Sequence, residues 1–180
     1  MKRLSTVLLA GILILVLVAA VSGCGGDTKQ AKEYTTEAES LAEDVQTSVN
    51  EIPTKFQDAF AGVTDPTQYA AAAKEVDAFL EDIKDDADKA IAQFEKVESL
   101  NGVADYKEYA GLWIQILELA KQTVDEMQTF ISESTNLVNA GDTAGLETLK
   151  TSFDTKINGL VEEITSLEEE ANKLKSDKDL

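Results

Sequence analysis

The chain has 180 residues, of which 34 are Asp or Glu and 16 are Lys or Arg, so its formal net charge is −18. This acidity opposes binding to nucleic acid and to anionic lipid headgroups, because phosphate contacts need Lys and Arg. The sequence has no histidine, so it lacks the commonest general base and transition-metal ligand, which excludes a Glu-x-x-His di-iron bundle and a His-ligated haem.

The N-terminus has the layout of an export signal. The basic pair Lys2-Arg3 is followed by the almost entirely apolar stretch 4–21 and then by Val21-Ser22-Gly23-Cys24. Small residues before the cysteine let a signal peptidase reach the backbone, and the thiol is the one nearby nucleophile that accepts a thioether-linked lipid. These residues resemble the lipobox of a bacterial lipoprotein precursor.

The resemblance implies cleavage between Gly23 and Cys24, which removes residues 1–23 and makes Cys24 the lipidated first residue. Two or three acyl chains would hold the protein firmly on the extracytoplasmic face of the cell membrane, whereas one chain binds only marginally. The alternative is an uncleaved membrane helix, since about 20 apolar residues span a bilayer. Removal of Lys2 and Arg3 leaves a mature chain with a formal charge of −20.

The rest of the chain carries a helical pattern. From Tyr34 to Leu174 apolar residues recur at steps of three and four, which indicates helices and excludes alternating strands. After a lipidated tether at 24–30, this pattern predicts one domain, 31–175, and a frayed tail. Its predicted helices and the tail span about 29–60, 66–100, 105–139, 142–175 and 176–180. Pro53 lies inside the first helix, where it predicts a kink or a short break.

The predicted boundaries rest on local signals. Asp65 can cap the second helix, Pro66 suits its first position, and Gln68 can complete a capping box. Asn101-Gly102 and Ala140-Gly141-Asp142 are typical of helix ends, because Gly accepts the left-handed conformation.

Four long stripes joined by short loops predict an all-α fold, an up-down-up-down antiparallel four-helix bundle with long coiled-coil-like helices. Each helix would be about 50 Å long at a rise of 1.5 Å per residue. Alternating directions place the 101–102 turn near the membrane and the other two turns at the distal tip. Leu117 is a predicted core residue. The third helix also carries extra apolar residues, which predict burial on more than one side, namely Leu112, Ile114, Ile116 and Leu119.

Two acidic clusters and one aromatic group are the candidate sites. The acidic clusters could bind divalent cations, but side chains on a straight helix diverge, so a solvated face with the salt bridges Asp85–Lys89 and Glu169–Lys173 is the favoured interpretation. The clusters consist of Glu81, Asp82, Asp85, Asp86 and Asp88, and of Glu168, Glu169 and Glu170.

The aromatic group consists of Tyr106, Tyr109 and Trp113, near Phe94 and Tyr34. It could line a pocket for a small apolar ligand or rest on the bilayer interface, where Trp and Tyr are favoured. Core filling is the simpler expectation, because aromatic residues at helical spacing usually pack.

The sequence predicts a non-enzymatic, membrane-anchored extracytoplasmic lipoprotein that acts as a structural or protein-interaction module, with no cofactor, metal or nucleic acid. Its expected partners are the membrane, through the lipid on Cys24, and a protein of unknown identity. The alternative is a ligand-sensing bundle for a small molecule or divalent cation, which resembles chemoreceptor sensor domains in architecture alone. Self-association is also open, since heptad stripes can pair between chains.

Overall fold

A computed structural model describes residues 26–180. This part of the chain forms four helices and no strand, and the helices are α1 (Gly26–Ala59), α2 (Pro66–Glu98), α3 (Ala104–Ala140) and α4 (Thr143–Lys178). The predicted cleavage site and lipidated cysteine, Gly23 and Cys24, lie outside the described residues.

Helices that follow one another in sequence pack against each other, so α1 contacts α2, α2 contacts α3, and α3 contacts α4. The turns between them are short, which makes neighbouring helices antiparallel. The backbone N–H of Asn101 donates to the Asp27 carboxylate at 2.9 Å, so the α2–α3 turn lies beside the start of α1. The predicted all-α four-helix bundle is confirmed.

The start of α2 follows the predicted capping signal. The Asp65 carboxylate accepts hydrogen bonds from the backbone N–H groups of Thr67 and Gln68 at 2.9 and 3.0 Å, and Pro66 is the first helical residue. The Gln68 side chain reaches back to the N–H of Thr64 at 2.9 Å, one residue before the expected Asp65. Both reciprocal contacts hold the chain where it enters the helix.

The turn between α3 and α4 also forms as predicted. Gly141 has a φ of 68°, the left-handed conformation that ends α3, and its N–H bonds back to the carbonyl of Val138. Asp142 then caps α4 by accepting from the N–H of Gly145 at 2.9 Å.

Three predictions about helix ends and continuity are wrong. Residues 26–30 of the predicted tether belong to α1, and most of the predicted tail 176–180 belongs to α4. The tail is ordered because Lys178 pairs with Asp105 of α3 at 3.0 Å. No break occurs at Pro53, whose exposed ring removes one hydrogen bond on a side of α1 that water can reach.

The core lies mainly among the first three helices. Leu80 and Phe94 of α2 are fully buried, and Leu117 of α3 is 2% exposed, as predicted. The expected extra burial of α3 is confirmed for Leu112, Ile116 and Leu119, whereas Ile114 is half-buried. α3 therefore packs on more than one side, since it contacts both α2 and α4.

The fourth helix is covered less completely. Ala171 is its one fully buried residue, and the rest of its apolar stripe is half-buried. Along the described helices no Cα atom of α4 comes within 8 Å of one in α1, whereas α1 approaches α3 at that distance. The bundle is therefore more open between α1 and α4 than at its other sides.

Candidate functional site

Three aromatic rings lie together at the end of the bundle where α1 begins. The ring of Trp113 stacks on that of Phe94, with centroids 6.1 Å apart and planes 7° from parallel. Tyr109 meets Trp113 edge to face, with centroids 6.3 Å apart. Tyr109 is 2% exposed and Phe94 is fully buried, so these rings fill core volume.

The hydroxyl group of Tyr109 links three helices. It donates a hydrogen bond to the Glu39 carboxylate of α1 at 2.5 Å, and the Lys175 ammonium of α4 donates to the same oxygen at 2.5 Å. Lys175 also lies 5.7 Å from the centroid of the Tyr109 ring, within the range of a cation–π contact. We refer to Glu39, Tyr109 and Lys175 as the Tyr109 clasp.

The sequence analysis missed Glu39 and Lys175. Glu39 follows the buried Ala38, and Lys175 follows Leu174, so each lies at the edge of an apolar stripe. That position is a usable signal, because a charged residue at a stripe edge can fold inward when a partner meets it. The 136-residue separation of the pair hid the contact.

The other predicted aromatic residues lie nearby without joining this ring cluster. Tyr106 is half-buried and packs against the core from the first turns of α3. Tyr34 packs against the core from α1, and the Lys96 ammonium lies 5.5 Å from the centroid of its ring. Of the three predicted pocket residues, Tyr109 and Trp113 are therefore in ring contact, and Tyr106 lies at the margin.

Two buried polar atoms of the described residues lack a hydrogen-bond partner, the Trp113 indole nitrogen and the Thr35 hydroxyl. Each such atom typically destabilises the fold by about 1 to 3 kcal/mol. The clasp groups, in contrast, satisfy one another. The site can therefore hold three helices in register, and it pairs no nucleophile with a general base.

Burial raises the pKa of the Tyr109 hydroxyl, and the adjacent Glu39 charge and hydrogen bond raise it further. Because the folded state holds this proton more tightly than the unfolded state, its contribution to stability is complete below the ordinary tyrosine pKa of about 10 and falls as the pH rises above it. In an alkaline titration, we expect one component of tyrosinate absorbance to appear only as the protein unfolds. Tyr109→Phe should remove that component, and its persistence in the variant would contradict the assignment.

The acidic residues of α2 are partly paired with lysines of α3. Lys121 contacts Asp88 at 2.6 Å, and Lys84 contacts Asp125 at 2.8 Å. These hydrogen-bonded carboxylates raise the pKa of both lysines. The cluster therefore contributes to the α2–α3 contact as well as to the solvated surface.

The predicted salt bridges within helices are wrong in detail. Lys89 pairs with Asp86 at 2.7 Å and not with Asp85, because a spacing of three residues also places two side chains on one face. Glu169 and Lys173, both exposed, form no ion pair within 4 Å in the described structure. Burial raises the pKa of the neighbouring Glu168. Within residues 26–180, no three carboxylate or thiol groups converge on a point that could hold a metal ion.

Among the helices of residues 26–180, none combines the length and the apolar character that a membrane span needs. The predicted lipidation at Cys24 stays a prediction. Comparison of the chain with protein-family models, with curated proteins and with solved structures finds no match.

Proposed function

We propose that this chain is a lipoprotein anchored to the extracytoplasmic face of a bacterial cell membrane, where it acts as a non-enzymatic structural or protein-interaction module. The observation that carries the proposal is Val21-Ser22-Gly23-Cys24 at the end of a basic and then apolar N-terminus. The length of α1 is consistent with a rod of about 50 Å.

The start of α1 supports a short connection between lipid and fold. α1 begins at Gly26, two residues after Cys24, so a lipid on that cysteine would lie next to the base of the bundle. The α2–α3 turn and the end of α4 would share the membrane-proximal end, since Asn101 contacts Asp27 and Lys178 contacts Asp105. The turns at 60–65 and 141–142 would face away from the membrane.

The anchor is tested by replacing the acceptor thiol. In bacterial cells that express the full chain, Cys24→Ser should prevent lipidation and shift the protein out of the lipid-modified membrane fraction by at least about tenfold, because acyl chains supply the membrane affinity. Ser40→Ala, at an exposed position of α1, is the matched control. Mass spectrometry of the membrane-extracted protein should find acyl chains on Cys24, and an unmodified cysteine there would contradict the anchor.

A thermal-shift screen of the full chain against metabolites and divalent cations separates the interaction module from the ligand-sensing alternative. A ligand that binds only the native state raises the melting temperature. We expect no stabilisation across the panel, and a concentration-dependent rise of several degrees that Trp113→Phe abolishes would favour the aromatic group as a ligand site instead.

A further inference from the structure

The side of the bundle between α1 and α4 is closed at one end and open above it. The salt bridge between Lys175 and Glu39 joins the two helices near the start of α1. Val161 lies two heptads before Lys175, on the same side of α4, yet it is 37% exposed and is the one exposed large apolar side chain of the described residues. The two helices therefore diverge above the Tyr109 clasp.

The apolar stripe of α4 remains partly uncovered as a result. Because α4 packs on α3 and not on α1, one helix covers a stripe that two would cover in a closed bundle. Seven half-buried residues form this part of the stripe, namely Leu146, Leu149, Phe153, Ile157, Leu160, Ile164 and Leu167. Contiguous apolar surface of this kind marks an interaction site more often than isolated exposed residues do.

The polar rim of this opening is almost uncharged, although 28% of the whole chain is charged. Steps of 7, 11, 14 and 18 residues from Glu39 lead along the same side of α1, and the adjacent edge of α4 follows heptad spacing. We call these residues the α1–α4 flank. They are Gln46, Asn50, Pro53 and Gln57 on α1, and Thr151, Asn158, Val161 and Thr165 on α4.

The charges nearest to the flank are few. Lys150 and Asp154 form a salt bridge at 2.6 Å and so neutralise each other. Glu147 and Glu168 lie beyond its two ends on α4. The outer face of α2, in contrast, carries the exposed acids of the cluster at 81–88.

We propose that the α1–α4 flank pairs with the same flank of a second copy of this chain, side by side and pointing in the same direction. In a parallel two-fold pair each residue near the axis lies opposite its own copy, so any charge there would face a like charge. The flank avoids that repulsion, which a strongly acidic chain would meet at its other surfaces. The common direction rests on the proposed function, because two copies anchored through Cys24 in one membrane extend the same way.

The size of the flank indicates how strong the pairing is. A stretch of about 20 Å along two helices, roughly 20 Å wide, would bury on the order of 1,000 Å² in both copies together, the lower limit for a specific interface. Such an interface is weak in free solution. Anchoring in one membrane raises the effective concentration of the partner, so the pairing is to be measured on membranes.

Photo-crosslinking of the full chain in intact bacterial cells tests the pairing. A photo-crosslinking amino acid replaces Val161 in the flank or, as a matched control, Ser166 on the exposed opposite edge of α4. We expect a covalent species of twice the chain mass, at least about tenfold more abundant from position 161 than from position 166. Absence of this species, equal yields from both positions, or capture of a different protein at position 161 would each overturn the proposal.

A charge variant provides the second measurement. Asn158→Glu together with Thr165→Glu places new charges opposite their own copies, so it should lower the crosslinked yield from position 161 by at least about tenfold. Circular dichroism checks that the helices are retained, as expected for two exposed positions. An unchanged yield would contradict the pairing. Fractionation of the same cells reports the anchor separately, so a membrane-bound chain that does not pair overturns only the pairing.

Discussion

Replacing Leu117 with aspartate should lower the melting temperature of the bundle by about 10 °C or more. Leu117 is 2% exposed in the middle of α3, so the substitution removes apolar packing and buries a carboxylate without a counter-charge. Loss of a buried leucine side chain alone typically destabilises a protein by about 2 to 5 kcal/mol. For a chain of this size, each kcal/mol corresponds to a shift of about 2 to 4 °C.

Thr129→Asp is the matched control for Leu117→Asp, because it adds the same charge to the same helix at an exposed position. Its effect should stay within about 0.5 kcal/mol, the range of ordinary surface substitutions. Thermal unfolding followed by circular dichroism measures both variants. A Leu117→Asp melt that coincides with the control would remove Leu117 from the core.

The second large effect is expected at Tyr109. Tyr109→Ala removes a nearly fully buried ring that contacts Trp113 and Lys175, and it should destabilise the protein by about 3 to 5 kcal/mol, as for other large aromatic truncations. Tyr109→Phe keeps the ring and removes only the hydroxyl that donates to Glu39. It should destabilise by about 1 kcal/mol, because Lys175 still contacts the Glu39 carboxylate.

Comparison of the two Tyr109 variants separates packing from hydrogen bonding in the clasp. Chemical denaturation at neutral pH gives both free energies of unfolding. Equal losses for Ala and Phe would mean that the hydroxyl carries the effect and the ring does not. No loss for either variant would show that the clasp does not hold the helices together.

The helices could be predicted from the sequence because their signals are local. The apolar spacing gave their number, and Asp65-Pro66 and Gly141-Asp142 gave two boundaries within a residue or two. The ends of the bundle were mispredicted because their order depends on contacts across the fold. Lys178 extends α4 by pairing with Asp105, which is more than seventy residues earlier in the chain.

The candidate site was predictable only in part. Aromatic residues at helical spacing indicated that Tyr109 and Trp113 share a face, but no local pattern brings Glu39 and Lys175 to the same hydroxyl. The uneven cover of α4 was equally hidden, since a heptad stripe reads the same in one dimension whether one helix or two helices pack against it. Only the separation of α1 from α4 distinguishes the two cases.

The contacts of Asp27 with Asn101 and of Lys178 with Asp105 place both chain termini of the described bundle beside the same turn. A fluorescent protein fused after Leu180 would therefore emerge next to the proposed lipid and crowd the bilayer. The loop around Gly62, where the backbone adopts a φ of 74°, lies about 50 Å away at the opposite pole. That loop is the site where an epitope insertion leaves the base of the rod unobstructed.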